Sequence, residues 1–590
     1  MKRTFIYIAF LALSAVALTS CEDMFGSFLN KQPSNELTED QVFSQWTTTM
    51  QFHFDTYNFL RNGAARINGS WMDAATDLAE TSFSSGGVRP SFNIGNYYAA
   101  NDVSGAAELS GTWELYYRGI RKCNMLLTRI DNVPKPTDLS DELYATNKMN
   151  YKAESQFLRA YFYWEMFLRY GPVPLVTEVL DPDGDLLSGY TERPSLKTYI
   201  DWILKELNDC ESGLMDKPSA ADLQGRICKP MARALVSRIK LYMASDRFGS
   251  ESGITWQEAA DAAKSFIDVY GSQYGLYKGD ADPVACYTNA ILKTVATDAN
   301  NEVIFWRNDV QIGWSSIATD SPVGEGGSGG NCPSQNLVDM YDMVNGQSPF
   351  SNYDATGAPV YNGTATPAVN TVSGYSDSDP YSNRDPRLSA SVLYNGVNWG
   401  NGIINVIMGQ RDNPVGNANA TPTGYYMRKY IPQNILDNNH SQTAYRNWIF
   451  IRYAEILLNY AEALNEAQGP SAEVFNALQS IRDRVGLTAK LSSRADLQTK
   501  ELLRNFIRKE RTVELAFEDH RAWDVRRWNV AVQALARPIY GMDITKDNSG
   551  KFVYTRKVSQ NRVFTDKMYL YPIPESEVWK TNIENNPGWN

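Results

Sequence analysis

Residues 152–175 read KAESQFLRAYFYWEMFLRYGPVPL, and this stretch decides the fold class. Its apolar and small residues recur at the spacing of a helix from Ala153 to Phe167. Gly171-Pro-Val-Pro174 follows directly, and a glycine with two prolines behind it ends a helix. The stretch therefore predicts a helix that ends close to Gly171.

Helical spacing continues on both sides of this stretch. It predicts further helices over 113–127, 196–207, 229–243, 256–270, 448–468, 472–485 and 500–518. Small residues such as Ala153 and Ala160 stand among large ones, which lets paired helices approach closely. Because no fixed 34-residue period is visible, we predict a mainly α protein whose helix pairs form a degenerate tetratricopeptide-repeat-like scaffold.

The segment 281–447 has a different character. It is crowded with Gly, Asn, Ser, Pro and Tyr and has little helical periodicity. Such length without regular structure is usually functional or disordered, and the aromatic residues spread along it favour order. We therefore expect a loop-rich insert with short strands, mounted on the helical scaffold.

The first twenty residues have the pattern of an export signal. Lys2 and Arg3 precede an apolar run from Phe5 to Leu18, which as a helix covers only about 21 Å of a roughly 30 Å hydrocarbon layer. The run therefore fits a signal peptide. Leu18-Thr-Ser-Cys21 is similar to a bacterial lipobox, which implies that Cys21 is lipidated. The acidic pair after Cys21 resembles the surface-export signal of Bacteroidetes lipoproteins.

Composition argues against several classes of function. Asp and Glu (67) exceed Lys and Arg (56), for a net charge of −11, so nucleic acid is not expected as a partner. The three histidines lie far apart, which disfavours a histidine-based hydrolase. The five cysteines after Cys21 are odd in number and widely spaced, which predicts buried free thiols. No cofactor is expected, although acidic loops at 181–185 and 377–379 leave a structural calcium ion open.

Several other sequence motifs follow the stretch 152–175 along the chain. Among them are NRDPRL (383–388), IRYAEILLNYAEA (451–463), RAWDVRRW (521–528) and NPGW (586–589). Together they resemble the SusD/RagB family of nutrient-binding outer-membrane lipoproteins of Bacteroidetes. The resemblance covers nearly the whole mature chain, and it implies a SusD-like fold.

The resemblance also implies an organisation and a role. We expect a signal peptide over 1–20, an N-terminal helical region over 21–280 and a C-terminal RagB/SusD region over 281–590, all in one compact fold. The expected role is that of a surface-exposed, lipid-anchored outer-membrane protein. By resemblance it captures oligosaccharides, performs no catalysis and acts as a lid for a SusC-like TonB-dependent transporter.

A carbohydrate site requires exposed rings that stack on sugar faces, with Asp, Asn or Arg to bind hydroxyl groups. Two loop regions supply this mixture, in places where family members resemble one another in their glycan contacts. The candidates are Trp71, Asp73, Asp77, Asn96, Tyr97 and Tyr98 in the first region, and Trp306, Asp309 and Trp314 in the second. Arg384 is a further candidate, for which a turn clamp is the competing interpretation. For each aromatic residue the competing interpretation is a ring that fills the core beneath its own loop.

Two other functions stay open at this point. A RagB-like member of the same fold would capture peptides, and a surface glycosidase would cleave glycans with a pair of carboxylates. The Trp- and Tyr-bearing loops favour sugar over peptide, since peptides call for backbone-pairing grooves and charged pockets.

Overall fold

The computed structural model describes residues 37–64, 67, 69–84, 88–99, 108–181, 183–184, 190–219, 223–307 and 311–589. This part of the chain is mainly helical, as predicted. Its longer helices are α1 (Glu39–Phe43), α2 (Trp46–Asp55), α3 (Ser110–Arg129), α4 (Asp141–Tyr170), α5 (Leu196–Glu211), α6 (Lys229–Ala244), α7 (Trp256–Tyr270), α8 (Pro283–Leu292), α9 (Pro386–Ser391), α10 (Tyr453–Gln468), α11 (Ala472–Arg484), α12 (Lys500–Glu514), α13 (Arg521–Arg527), α14 (Ala531–Leu535) and α15 (Glu575–Thr581).

The described strands are short and form antiparallel pairs. They are β1 (Ala79–Thr81), β2 (Val303–Arg307), β3 (Gln311–Ile312), β4 (Asn331–Pro333), β5 (Val392–Leu393), β6 (Asn398–Trp399), β7 (Gly402–Ile403), β8 (Tyr426–Met427), β9 (Ala444–Tyr445), β10 (Trp448–Arg452), β11 (Ile539–Lys546) and β12 (Phe552–Gln560). β1 pairs with β4, β2 with β10, β3 with β9, β5 with β8, β6 with β7, and β11 with β12. Most of these strands lie in the predicted loop-rich insert, which they order.

Helix α4 contains the stretch that decides the fold. It begins after Ser140, whose side chain accepts a hydrogen bond from the Leu143 N–H, and it ends at Tyr170, before Gly171 at φ +71°. Glycine adopts that left-handed backbone without steric cost. On the neighbouring α3, an added Cβ at Gly119 would lie 2.7 Å from the Phe162 ring. The absence of a side chain there lets α3 and α4 pack closely.

The helices form a continuous scaffold. α3 packs on α4, α4 on α5, α5 on α6 and α6 on α7, and α7 packs on α10, which also contacts α11 and α12. One predicted boundary is wrong, because residues 448–452 form strand β10 and not the start of a helix. All five β10 side chains are buried. A strand buried on both faces has a continuous apolar pattern, which periodicity alone does not distinguish from a buried helix.

A buried group of charges joins the insert to this scaffold. It consists of Glu302, Arg387, Lys429, Arg452, Arg484, Glu514 and Glu518, and we call it the Glu514 cluster. Arg452 lies 2.7 Å from both Glu302 and Glu514. From the insert, Arg387 lies 3.0 Å from Glu514 and Lys429 lies 2.6 Å from Glu518. The cluster therefore connects β10, α11 and α12 to the insert.

Each charge in this cluster depends on its partners. Burial by itself would raise the pKa of Glu514, but Arg484, Arg452 and Arg387 hold that pKa well below its usual range. Burial lowers the pKa of Lys429 to about 8, against the opposing effect of Glu518. Removal of one partner leaves a buried charge uncompensated, which typically costs about 3–5 kcal/mol.

Two further features of the described chain concern its thiols and the length of its apolar helices. The described cysteines Cys123, Cys210, Cys228, Cys286 and Cys332 are free and buried, as predicted. Cys21 lies outside the described residues. Within the described ranges, no helix combines the length and the hydropathy required to cross a bilayer.

Candidate functional site

A short turn before β9 builds an aromatic surface. Asn438, Asn439 and His440 have consecutive φ values of 51°, 56° and 62°. Asn and His enter this left-handed region more readily than most residues. The turn lays the His440 ring on the Trp314 ring, with ring centroids 3.8 Å apart and planes 10° from parallel. Both residues are partly exposed, and we call this pair the Trp314 platform.

The pairing of β3 with β9 positions this platform. Gln311 lies opposite Tyr445 and Ile312 opposite Ala444. The Gln311 side chain donates a hydrogen bond of 2.6 Å to the Thr443 hydroxyl. Ile312 is buried beneath the pair, whereas Tyr445 is 57% exposed. The ladder thus holds the loop that carries Trp314 against the turn that carries His440.

The surface around the platform is rich in uncharged polar groups. The exposed residues on its two segments include Gln311, Ser315, Ser316, Asn434, Asn438, Asn439 and Thr443. Amides and hydroxyls donate and accept hydrogen bonds, and an aromatic ring packs against apolar C–H faces. This combination matches the chemistry of a sugar.

Trp71 lies beneath this surface and not on it. Its indole N–H donates to a carboxylate oxygen of Asp320 at 3.0 Å, and Asp320 lies on the loop that follows Trp314. The Trp71 ring also contacts Trp448 at 5.5 Å, and its side chain is fully buried. The structure therefore brings the two predicted regions together, with Trp71 as a support that offers no exposed face for stacking.

The two acidic candidates that follow Trp71 are also buried. Asp77 binds the Arg521 guanidinium through both carboxylate oxygens, at 2.8 and 2.7 Å. Asp73 accepts a hydrogen bond from the Phe517 N–H at 3.3 Å. Burial, together with the nearby Asp519, raises the pKa of Asp73 to about 7. Both carboxyl groups face the protein interior, out of contact with solvent.

The other candidates of the first region lie on a different surface. Tyr97 is buried against Phe92 at 4.9 Å and Trp589 at 5.2 Å, so its ring packs on the C-terminal tail. Tyr98 is 51% exposed and Asn96 is exposed. These two retain surface for a ligand, but the Tyr97 contacts place their loop beside the tail.

Of the remaining candidates, Trp306 and Arg384 are buried and Trp314 is partly exposed. Trp306 lies in β2 and is 4% exposed. The Arg384 guanidinium donates to the backbone carbonyls of Pro380, Val338 and Tyr341, each at 2.7 Å, which is the geometry of a turn clamp. Asp309 lies outside the described residues. Among the described candidates of the second region, only Trp314 lies on the platform.

Sequence reasoning missed His440, Tyr445 and the two asparagines of the turn. Their positions depend on strand pairing between segments more than a hundred residues apart, which no local pattern reveals. The Asn-Asn-His run was the available signal, because these residue types tolerate left-handed backbone.

The described part of the chain contains no cluster of ligands that would support the calcium interpretation. There, no group of three or more His, Cys, Asp or Glu residues has the arrangement required to hold a metal ion. In one of the two acidic loops, Asp377 accepts a hydrogen bond from the Tyr375 hydroxyl at 3.0 Å.

Comparisons with known proteins agree with the fold. A family model described as the SusD family matches residues 290–589, and a model described as starch-binding and associating with the outer membrane matches residues 27–241. A SusD-like protein of Formosa agariphila is 24% identical over 540 residues, which cover 88% of each chain. A SusD-like protein of Bacteroides fragilis is 26% identical with a TM-score of 0.73, covering 95% of this chain and 100% of that one. A SusD-like carbohydrate-binding protein of the same species is 22% identical with a TM-score of 0.69, covering 91% and 98%. The chain therefore belongs to the SusD family, as its sequence phrases predicted.

Proposed function

We propose that this protein captures oligosaccharides on the Trp314 platform. The stacked and partly exposed rings of Trp314 and His440, set among exposed amides and hydroxyls, carry the proposal. Ring faces pack on the C–H groups of a sugar, while the amides bind its hydroxyls. Because these contacts compete with water, binding is weak to moderate, which suits a protein that must release its cargo.

The capture takes place at the outer surface of the outer membrane. The lipobox at Cys21 supports a lipid anchor, and the description of the N-terminal family model supports an association with the outer membrane. In this role the protein acts as a lid over a SusC-like TonB-dependent transporter and passes the oligosaccharide on without chemistry of its own.

Affinity electrophoresis of the mature chain against neutral polysaccharides tests the capture. We expect retardation by at least one glycan, and its loss in Trp314→Ala. Trp579 is 76% exposed on α15, so Trp579→Ala is the matched control and should bind like the wild type. Equal loss in both variants would contradict the assignment to the platform.

The same protein should be incubated with a peptide mixture and its products analysed. Retention of peptides alone would contradict sugar capture in favour of a RagB-like role, and release of shortened glycans would indicate a glycosidase. Neither result is expected.

Fractionation of cells tests the location and the partner. Cys21→Ala should move the protein from the membrane to the soluble fraction, and the wild-type protein should co-purify with a TonB-dependent transporter in mild detergent. An unchanged membrane fraction in Cys21→Ala would contradict lipid anchoring.

A further inference from the structure

A cavity of about 590 Å³ lies where strand β2 meets helices α2 and α4 and the segment 223–226. Its volume falls within the range of about 300–1,000 Å³ that small-molecule sites have. Two rings of its lining retain exposed surface, since Phe54 is 37% exposed and Tyr57 is partly exposed. Tyr151 and Trp306 also line the cavity, but they are buried. Phe54 and Tyr57 are therefore the rings that a ligand can reach.

The two cations of the lining are already engaged by the protein. Arg226 is paired with the buried Glu154, and its guanidinium lies 5.6 Å from the Phe54 ring. Arg307 donates a hydrogen bond to the backbone carbonyl of Leu60. The described lining residues include no Asp or Glu. Within that lining, an ionic ligand would therefore have to displace an existing contact, which favours a neutral ligand.

The buried Glu154 also holds the aromatic wall in place. Its carboxylate lies 2.6 Å from His53 and accepts a hydrogen bond of 2.8 Å from the Tyr57 hydroxyl. That hydroxyl accepts a hydrogen bond of 3.1 Å from the Ile227 N–H. The polar atom of Tyr57 is thus engaged by the protein, and its ring has a fixed position. A wall that is ordered before binding lowers the entropic cost of binding.

Amides stand beside these rings in the lining. Asn58 of the segment that follows α2 is exposed, and Asn147 of α4 is partly exposed. Amides donate and accept hydrogen bonds with hydroxyl groups, and an aromatic ring packs against apolar C–H faces. The cavity thus combines the same two kinds of contact as the Trp314 platform. A neutral sugar residue matches both.

The cavity and the platform lie within reach of one polymer. Arg307 and Trp314 are seven residues apart, hence separated by at most about 25 Å. Arg307 pairs with Trp448 on β10, and Gln311 pairs with Tyr445 on β9 directly before it. The same two stretches of chain therefore position both features.

We propose that this cavity binds a neutral sugar residue of the glycan that the platform captures. The inference rests on the proposed function, to which it adds a second contact site on the same glycan chain. Phe54 and Tyr57 pack against the C–H face of the sugar, and Asn58 and Asn147 bind its hydroxyls. Because the second contact of one chain is intramolecular, it raises the affinity above that of the platform alone.

Affinity electrophoresis against three neutral polymers, amylopectin, laminarin and galactomannan, tests the second site. Phe54→Ala removes a ring from the cavity, and Asn147→Trp fills its space without removing a ring. Each variant should weaken retention by the polymer that retains the wild type at least fivefold. Thr146→Trp places the same side chain at the exposed neighbouring position of α4, outside the lining, and as the matched control it should be retained like the wild type.

Thermal unfolding of each variant separates a lost contact from a lost fold. Asn147→Trp keeps every ring of the wall, so it tests the cavity even if Phe54→Ala is unstable. Wild-type retention of a folded Asn147→Trp would overturn the inference. Equal weakening in Asn147→Trp and Thr146→Trp would overturn it as well, since the effect would then not depend on the cavity.

The possible failures are distinguishable. If no polysaccharide is retained, the proposed function fails and this inference fails with it. If a glycan binds through Trp314 and both cavity variants bind like the wild type, the inference alone fails. Retention by polygalacturonate and by none of the neutral polymers, lost in Asn147→Trp, would overturn the neutral class assigned to the cavity.

Discussion

The Glu514 cluster and the Trp314 platform use polar residues in opposite ways. The cluster residues are at most 2% exposed in the side chain, and their charges are satisfied by one another. The platform combines two rings with uncharged amides and hydroxyls that remain in contact with water. Two motifs of the sequence, NRDPRL (383–388) and IRYAEILLNYAEA (451–463), supply Arg387 and Arg452 to the cluster, whereas the platform comes from a turn and a loop that belong to none of the motifs named above. In this comparison the recognisable sequence motifs contribute residues to the buried scaffold. The candidate ligand contacts lie in loop segments without such a motif.

The largest expected effect comes from the cluster. Glu514→Gln removes a charge that Arg387, Arg452 and Arg484 share, so the free energy of unfolding should fall by about 3–5 kcal/mol. Urea denaturation measures this loss. Asp268→Asn in the exposed pair with Lys264 is the control, and it should change stability by less than about 0.5 kcal/mol. Equal effects would contradict the contrast between buried and exposed charges.

Asp73 gives the next effect, which depends on pH. Its pKa of about 7 means that between pH 4 and 7 the folded protein holds a proton that the unfolded chain has lost. The protonated Asp73 carboxyl group therefore contributes to the free energy of unfolding at low pH, and this contribution is lost as the pH rises through 7. The loss is roughly 2–3 kcal/mol between pH 5 and pH 8. Urea unfolding of both proteins at pH 5 and at pH 8 measures this. The free energy of unfolding of Asp73→Asn minus that of the wild type should be larger at pH 8 than at pH 5 by that amount. A constant difference between the two proteins would contradict the raised pKa.

Variants of two tryptophans of the predicted site distinguish a residue that supports the fold from a residue that contacts the ligand. Trp71→Phe removes the hydrogen bond to Asp320 and should lower the free energy of unfolding by about 1–3 kcal/mol, with glycan affinity retained in the folded protein. Trp314→Ala should instead weaken glycan binding at least tenfold, with a smaller loss of stability. Thermal unfolding and isothermal titration together distinguish the two. A binding loss confined to Trp71→Phe would contradict the proposed division.

The smallest expected effect is that of His440. Its ring stacks on Trp314, and aromatic pairs contribute about 0.5–1.5 kcal/mol beyond their buried area. His440→Ala should therefore weaken glycan binding a few-fold, whereas His440→Phe should largely preserve it. If His440→Phe binds as weakly as His440→Ala, the ring of His440 acts through its polar atoms and not by stacking.

The helical scaffold was predictable because its helices are long and periodic. The predicted end of α4 near Gly171 agrees with the structure, since glycine and proline act locally on the backbone. The error at 448–452 arose because β10 is buried on both faces and its apolar run continues into α10. The core interpretation, weighed for every aromatic candidate, describes Trp71, Tyr97 and Trp306, all of which are buried.

The sequence by itself determined the family, the mainly helical fold and the loop-rich segment in which the partly exposed Trp314 occurs. The tertiary structure decided which rings reach solvent and which polar groups surround them. The reason is physical: helix periodicity and backbone punctuation act over a few residues, and the sequence displays them directly. Exposure depends on what packs above a side chain, and for Trp314 and Trp71 that was set by segments far away along the chain.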